Sequence, residues 1–397
     1  MKRRGFLKSA GIAIAGAPFW IGILPEDLSA KIPAGIKITD VKTFLVENKV
    51  YVKIYTNKGV TGLGEGTRTG MEHTVEAHIK DRKHILIGED PTNIEFLWQA
   101  IFRWPRTRGG LANHAISGID IALWDILGKL LDAPIYKLLG GAARNRVRLY
   151  CHSTEKVEGF TAYRTSIAPD DLLKRPWNLR NAVEKIRKMR ETLGDDCDIT
   201  IDAHNRMTPV QVLEFANSVE QYRLMFIEDP VLPENLDGLE WIGNHTNVPL
   251  AIGESNYTKL GFKDIIYRHL VNYVRPDVAW GGGISELKKI GAMAESNFID
   301  VALHSGPSPV SNLASTHVSA CTPNCVLQEC AGRTSRREQW EIDMFYGDDI
   351  IITDGYAALP DKPGLGCDLD EKIAAAHPYT ERHLPTNRYE DGSVSDW

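Results

Sequence analysis

CDITIDAH (residues 197–204), LMFIEDP (224–230) and PLAIGES (249–255) decide the fold, because each is a short apolar run that ends in an acid. The acids are Asp202, Glu228 and Glu254, and each stands 26 residues from the next. A strand, a helix and two turns take up about that much chain. The spacing therefore predicts successive βα units of a barrel, with the three carboxylates at its C-terminal face.

The same period continues along the chain. Asp277, His304 and Glu329 follow in YVRPDVAW (273–280), DVALHSG (300–306) and NCVLQEC (324–330). Upstream, NRVRLYCHS (145–153) and GFTAYRTSI (159–167) are typical of strands and bring the count to eight. The segments between show apolar residues at three- and four-residue intervals, except for a first connection too short for a helix. We expect a TIM-like (β/α)7β barrel; an open doubly wound sheet gives the same alternation and is the alternative.

The chain of 397 residues is longer than one ordinary barrel. Residues 36–65 alternate as short β runs around an Asn57-Lys58-Gly59 turn, and residues 70–140 have helical periodicity. An α+β unit is therefore expected ahead of the barrel. No linker rich in Pro, Gly or Ser separates the two parts, which predicts a packed interface between them.

The first thirty residues have the form of a twin-arginine export signal. Lys2-Arg3-Arg4 precedes an apolar stretch, Ala10 to Leu24, that is shorter than a good membrane-spanning helix. We expect a periplasmic protein without stable membrane insertion after export; an uncleaved signal that anchors the chain is the alternative. The net charge of −6 argues against nucleic-acid binding.

Asp202, Glu228 and Glu254 are predicted to bind a metal ion. On three neighbouring strands their side chains can reach one ion, and an all-carboxylate set selects a hard cation. Mg²⁺ fits best because it keeps coordination sites for water or substrate, and Mn²⁺ is the next candidate. The alternative is that these acids cap the helices that follow.

Two histidines are predicted to move protons. His204 lies two residues after Asp202, so on a strand it points to the same face, and His304 belongs to the opposite strand of the barrel. Asp277, one strand from His304, can hold the ring and raise its basicity. A hard cation between two such groups suits removal of a proton beside a carboxylate, because the cation offsets the charge of the enediolate. Buried structural histidines are the alternative.

At these residues the chain resembles the enolase superfamily, in particular the mandelate racemase group and its D-galactonate dehydratases. The resemblance runs from Ile36 to Trp397 and includes IDAH, FIEDP, AIGES, RPDVAWGGGISE, ALHSGP, KPGLG and YEDGSVSDW. After the signal segment at 1–30, it implies a capping domain at 31–145, a barrel at 146–365 and a segment at 366–397 that packs on the cap. Homo-oligomers are common in this family.

The resemblance also implies roles for the site residues. Asp202, Glu228 and Glu254 would bind Mg²⁺, His304 with Asp277 would be the base, His204 the acid for the leaving hydroxyl, and Glu329 a hydrogen-bond partner of the substrate carboxylate. Strand two carries Arg164 where relatives have lysine, and arginine is too weak an acid to serve as a base. We interpret Arg164 as a clamp for the substrate; an ion pair with a metal-binding acid is the alternative.

Loops of the cap and the lid after strand two are expected to choose the substrate. Arg68, His73 and Trp177 are candidates to contact its distal hydroxyls, with solvated loop residues as the alternative. The leading hypothesis is Mg²⁺-dependent dehydration of a sugar acid to a 2-keto-3-deoxy acid. A cycloisomerase of an anhydro sugar acid, an epimerase and a non-catalytic sugar-acid binding protein are the rivals.

Overall fold

The N-terminal part of the chain folds as an antiparallel sheet covered by helices. The computed structural model describes residues 31–104, 106, 108–174, 177–306, 308–330 and 338–395, so the predicted signal at 1–30 lies outside the described residues. The strands are β1 (Ile38–Val46), β2 (Lys49–Thr56) and β3 (Thr61–Glu65). The helices are α1 (Glu72–Leu86), α2 (Ile94–Arg103), α3 (Leu111–Leu131) and α4 (Ile135–Leu138).

Glycines in β3 and directly after it let helix α3 lie directly against the sheet. A side chain at Gly64 would come within 1.9 Å of the Gly118 carbonyl oxygen, and one at Gly66 within 2.3 Å of that of His114. Only glycine permits such a close approach of two backbones. This contact fixes β3, and with it the Thr67–Gly70 loop that continues from the strand.

Eight parallel strands form the barrel. They are β4 (Arg146–His152), β5 (Ala162–Ser166), β6 (Asp198–Asp202), β7 (Phe226–Glu228), β8 (Leu250–Ile252), β9 (Tyr273–Val274), β10 (Asp300–Leu303) and β11 (Cys325–Glu329). The helices between them are α5 (Pro169–Leu173), α6 (Arg180–Leu193), α7 (Pro209–Val219), α8 (Leu236–Gly243), α9 (Thr258–Tyr267), α10 (Gly283–Glu295) and α11 (Pro309–Ala320).

The predicted barrel is confirmed. Gln328 of β11 pairs in parallel with Leu149 of β4, which closes the sheet and excludes the open doubly wound alternative. No helix is assigned between β4 and β5, as the short connection predicted, so six of the seven connections carry helices. Inside the barrel, six of the strands contribute to one cluster of buried side chains: Tyr150, Ala162, Phe226, Ala251, Ala302 and Leu327.

The residues after the barrel add small strands and a last helix. These are α12 (Gln339–Asp343), β12 (Phe345–Gly347), β13 (Ile352–Thr353), β14 (Tyr356–Ala358), β15 (Cys367–Leu369) and α13 (Glu371–Ala376). Strand β14 pairs antiparallel with β4 on the outside of the barrel. The final segment returns to the cap, where Lys53 Nζ lies 2.9 Å from the Asp368 carboxylate. The exact domain boundaries stay predictions.

Cap and barrel share a polar interface at α10. The Trp98 indole donates to the Gly282 carbonyl at 2.8 Å, and the Ser285 amide donates to the Asp120 carboxylate at 3.0 Å. The Trp280 indole donates to the Thr67 carbonyl at 2.8 Å, which ties the cap loop to the barrel top. None of the helices in the described part of the chain is long and apolar enough to cross a membrane.

Candidate active site

The C-terminal ends of the barrel strands surround a cavity of about 280 Å³. Asp202 pairs in register with Glu228, so these two acids stand side by side at the ends of β6 and β7. Glu254, Asp277 and His304 follow one to three residues after their strands end. The predicted constellation is thus delivered to one face. The lining side chains are Arg68, Thr69, His152, Arg164, His204, Glu254, Trp280, His304, Glu329, Arg382 and Leu384.

His304 is held by Asp277 as predicted from their neighbouring strands. His304 Nδ1 and Asp277 Oδ2 are 2.5 Å apart, and this contact directs Nε2 towards Glu254 Oε2 at 3.3 Å. Burial lowers the pKa of His304, but the carboxylates of Glu329, Glu254 and Asp277 outweigh it and raise the pKa to about 10. At that pKa the ring is protonated near neutral pH in this arrangement, so it can accept a proton only once the charge of its carboxylate neighbours is offset.

Glu329 is the centre of a buried network of charges. It lies 2.6 Å from His152 Nε2 and 3.2 Å from Arg275 Nη2, while Arg275 also donates to the Tyr150 hydroxyl at 2.7 Å. Burial raises the pKa of Glu329, but His304, His152 and Arg275 outweigh it and hold the pKa well below its usual range. An ionised Glu329 only accepts hydrogen bonds, so donating one to a substrate carboxylate requires a proton, for which His152 is the closest donor.

Arg164 forms an ion pair with a predicted metal-binding acid. Its guanidinium contacts Asp202 Oδ2, and its Nε lies 3.9 Å from Glu228 Oε2. Of the two interpretations of Arg164, the ion pair is the one seen in this arrangement. In the positions that they occupy, no three His, Cys, Asp or Glu side chains of the described residues form a group that would hold a metal ion. Asp202 and Glu228 already have a cationic partner.

The donor set nevertheless suits a hard cation in chemistry and charge. Both carboxylate oxygens of Glu228 are buried without a hydrogen bond, although Arg275 Nε lies 2.8 Å from one of them. Burial raises the pKa of Glu254, and the carboxylates of Glu228 and Glu329 raise it further. The same burial and repulsion raise the pKa of Asp229 well above its usual value. A divalent cation would relieve this excess of negative charge.

His204 reaches the cavity by a different route from the one predicted. Strand β6 ends at Asp202, and His204 lies beyond it in a left-handed turn with φ 51°. The strand periodicity that placed it on the face of Asp202 therefore does not apply. A hydrogen bond from the His204 amide to Asp202 Oδ1 at 2.7 Å holds the turn. The ring lies with Nε2 3.0 Å from Asp202 Oδ2, and burial lowers the pKa of His204 to about 3, helped by Arg164.

The outer mouth agrees only in part with the predicted substrate contacts. Arg68 lines the cavity, with its guanidinium 4.6 Å from the Trp280 ring centroid. Trp177 is not among the lining residues: its indole donates to Glu214 Oε2 on α7 at 3.1 Å. His73 is largely exposed and packs on Tyr379, away from the cavity. Arg68 therefore lies where it could contact a substrate, whereas Trp177 and His73 lie outside the cavity lining.

Several cavity residues escaped the sequence analysis. His152 ends β4 just as the predicted residues end their strands, so the same rule applied to strand one would have found it. The Trp280 ring is tilted against that of His304, with the centroids 4.8 Å apart, and Trp280 follows Asp277 by three residues in a turn whose path the sequence does not show. Arg382 and Leu384 come from the C-terminal segment, and no local pattern pointed to them.

Comparison with known families decides the classification. Residues 150–373 match the enolase C-terminal domain-like family, and residues 23–140 match the N-terminal domain of mandelate racemase and muconate lactonizing enzyme. The chain belongs to the enolase superfamily. The membership implied by the motifs is thereby confirmed, together with the capped-barrel architecture.

Relatives in the superfamily carry sugar-acid names. D-mannonate dehydratase of Caulobacter vibrioides is 34% identical over 407 residues, covering 91% of this chain and 100% of that protein. An enolase from Pantoea ananatis with bound D-gluconate and Mg has a TM-score of 0.83 at 31% identity, covering 91% of this chain and 100% of that one. The 3,6-anhydro-D-galactonate cycloisomerase from Zobellia galactanivorans has a TM-score of 0.77 at 26% identity, and the match covers 86% of this chain and 99% of that one. The prediction of an enzyme in the sugar-acid dehydratase group is confirmed by such relatives.

Proposed function

We propose that the protein dehydrates a sugar acid to a 2-keto-3-deoxy acid with the help of Mg²⁺. The observation that carries this proposal is the 2.5 Å contact between His304 Nδ1 and Asp277, with a second histidine, His204, on the other side of the same cavity. A base and an acid on opposite sides of one substrate suit removal of a proton from C2 and loss of a hydroxyl from C3. Dehydratase names among the relatives support the same reaction.

The steps follow from the placement of the side chains. His304 Nε2 takes the C2 proton, and the C–H electrons move into the substrate carboxylate to give an enediolate. These electrons then form the C2–C3 double bond, the C3–O bond breaks, and the departing oxygen takes a proton from His204 and leaves as water. This role requires His204 to take up a proton first, since burial and Arg164 lower its pKa in the arrangement seen here. The enol takes a proton at C3 and becomes the 2-keto-3-deoxy acid. Asp277 keeps His304 oriented throughout.

Asp202, Glu228 and Glu254 would hold the Mg²⁺, or Mn²⁺ in its place. When bound, the ion supplies positive charge that offsets the negative charge developing on the substrate carboxylate. Loading the site requires Arg164 to share or release Asp202, since the guanidinium contacts that carboxylate. Once released, Arg164 would be free to clamp the substrate carboxylate, so the two interpretations of Arg164 describe the two metal states.

The second candidate is a cycloisomerase acting on an anhydro sugar acid. It shares proton removal at C2 but breaks a ring C–O bond in place of a hydroxyl, and the structural similarity to a cycloisomerase favours it over the other rivals. An intact pair of opposed histidines argues against a protein that only binds sugar acids, because binding alone needs neither.

The test is product formation across a panel of aldonates, aldarates and uronates, with Mg²⁺ and with EDTA. We expect a 2-keto-3-deoxy acid from one stereochemical set, abolished by EDTA and restored by Mg²⁺. Glu254→Gln should weaken Mg²⁺ binding in calorimetry, which reads the metal site without relying on turnover. Turnover that is unchanged in EDTA would contradict the metal-dependent reaction, and products only from anhydro sugar acids would establish the cycloisomerase.

Export by the twin-arginine route remains part of the proposal. Lys2-Arg3-Arg4 and the apolar stretch that follows support it, and the periplasm would be the site of action. Fractionation of cells that express the full chain, beside an Arg3→Lys/Arg4→Lys variant, tests it. We expect the wild type in the periplasm and the variant in the cytoplasm; equal distributions would contradict the proposal.

A further inference from the structure

Two arginines at the outer side of the cavity have no acidic partner. Among the described residues, no ion pair or hydrogen bond is made by the guanidinium of Arg68 or of Arg382. In the described part of the chain, the Arg68 guanidinium lies over the Trp280 ring, a contact that does not use its N–H donors. Glu381, the acid next to Arg382, lies 3.7 Å from His383. By contrast, Arg164 and Arg275 at the inner end each contact carboxylates.

The two arginines come from distant parts of the chain and meet at one wall. Arg68 lies in the loop after β3, and Arg382 follows 314 residues later in the C-terminal segment. That segment runs along the cap, where the Thr380 amide donates to the Glu47 carbonyl at 3.1 Å. It then packs on Gly70, whose added Cβ would lie 3.6 Å from the Arg382 carbonyl oxygen. The final segment thus completes the cavity wall that carries Arg68.

We infer that Arg68 and Arg382 bind a second carboxylate, at the end of the substrate far from C1, so that the substrate is a sugar diacid. This inference rests on the proposed function, which assigns the first carboxylate to the inner end. A guanidinium presents a rigid fork of N–H donors that matches a carboxylate, and two unpaired guanidinium groups leave a local excess of positive charge. A terminal hydroxyl would offset none of that charge. A carboxylate offsets it and can accept hydrogen bonds from both guanidinium groups.

The second carboxylate takes no part in the chemistry. Water leaves from C2 and C3 as in the proposed reaction, and the product is a 2-keto-3-deoxy diacid with the far carboxylate unchanged. Arg68 and Arg382 are therefore binding residues, and their substitution should raise KM more than it lowers kcat.

Matched acid pairs test this directly. Galactarate and galactonate, glucarate and gluconate, and mannarate and mannonate each differ only in a carboxylate or a hydroxymethyl group at C6. In the Mg²⁺-loaded full-length protein, kcat/KM should favour the diacid of the accepted pair. Arg382→Gln should lower kcat/KM for the diacid about 10- to 100-fold, mainly through KM, and leave the monoacid within about twofold.

Two further variants control the result. Arg68→Gln should act like Arg382→Gln, although it also removes the contact with Trp280. Arg388→Gln removes an exposed arginine of the same segment that bonds only to the Gly392 carbonyl, and should change neither substrate. A preference for the monoacid, or an equal loss on both substrates in Arg382→Gln, would overturn the inference.

Calorimetric binding separates this inference from the proposed function. In His304→Asn protein loaded with Mg²⁺, the diacid should bind more tightly than its monoacid partner, and Arg382→Gln should remove the difference. Such binding without any turnover by the wild type would support the diacid site and refute the proposed dehydratase activity. Dehydration of monoacids, with no higher kcat/KM for diacids, would support the proposed dehydratase activity and refute the diacid site.

Discussion

The inner and outer ends of the cavity differ in how their charged side chains are neutralised. At the inner end, buried carboxylates and cations compensate one another on the ends of rigid strands, as in the pairing of Glu329 with His152 and Arg275. At the outer end, Arg68 and Arg382 sit on a loop and on the final segment, and neither forms an ion pair with an acid of the described residues. The difference separates a preorganised reaction centre from a surface whose partner is the substrate.

The largest effect on turnover should come from replacing His304, the proposed proton acceptor at the inner end of the cavity. His304→Asn keeps a hydrogen bond to Asp277 but cannot take the C2 proton, so kcat should fall about 10²- to 10⁴-fold with KM little changed. His245→Asn, which alters an exposed histidine two residues after helix α8, is the matched control and should retain turnover. Wild-type kcat in His304→Asn would mean that the inner end is not the reaction centre.

The buried ion pairs at the inner end of the cavity should also make a large contribution to the free energy of unfolding. Arg275→Leu leaves Glu228 and Glu329 buried without their shared cation, and the free energy of unfolding in EDTA should drop by about 3–5 kcal/mol. Arg268→Leu removes an arginine that likewise contacts two acids, Asp237 and Glu240, but at the surface. Its loss should be much smaller because solvent screens the pair. Equal losses in urea denaturation would contradict the account.

His317 should make the stability of the barrel sensitive to acid, independently of the reaction in the cavity. This ring accepts from the Tyr136 amide and contacts the Leu365 carbonyl at 3.1 Å. Burial lowers the pKa of His317 from 6.5 to about 4, so the unfolded chain binds the proton more readily between those values. Stability should therefore fall as the pH drops from about 6.5 towards 4, by up to about 1.4 kcal/mol per pH unit.

The measurement is urea unfolding of wild type and His317→Gln at pH 7 and pH 5. The variant lacks the titrating ring, so it should lose less stability between the two pH values. Parallel losses would assign the acid sensitivity to other groups.

The smallest effect should come from the loop at the outer end. Gly70 has φ +82°, and an added Cβ meets only ordinary contacts, so Gly70→Ala should cost roughly 1 kcal/mol of stability through backbone strain. It should also shift the Arg68 loop against the final segment and raise KM. Gly88→Ala has a similar φ of +85° with open space around it, far from the cavity, and should lose stability without a change in KM. A shared KM effect would contradict a local role for the loop.

The sequence sufficed for those parts of the molecule that repeat. The spacing of strand-end ionisable residues predicted the closed barrel and the meeting of Glu254, His304 and Glu329 at one cavity, because strand register fixes positions at that face. His204 also lines the cavity, but through a turn that the strand pattern did not predict. The sequence offered the ion pair of Arg164 with a metal-binding acid only as an alternative and could not choose it, since the choice depends on side-chain distances between strands. Nor could it find Arg382, whose neighbours lie more than 300 residues away, or show that Trp177 bonds to Glu214 outside the cavity.

The most direct test of the central claim is turnover in D₂O followed by nuclear magnetic resonance. Removal of the C2 proton by His304 with loss of the C3 hydroxyl predicts a 2-keto-3-deoxy acid that carries deuterium at C3, and recovered substrate without deuterium at C2. Deuterium at C2 of the recovered substrate, with no keto acid formed, would contradict the account and identify the two histidines as the bases of an epimerase.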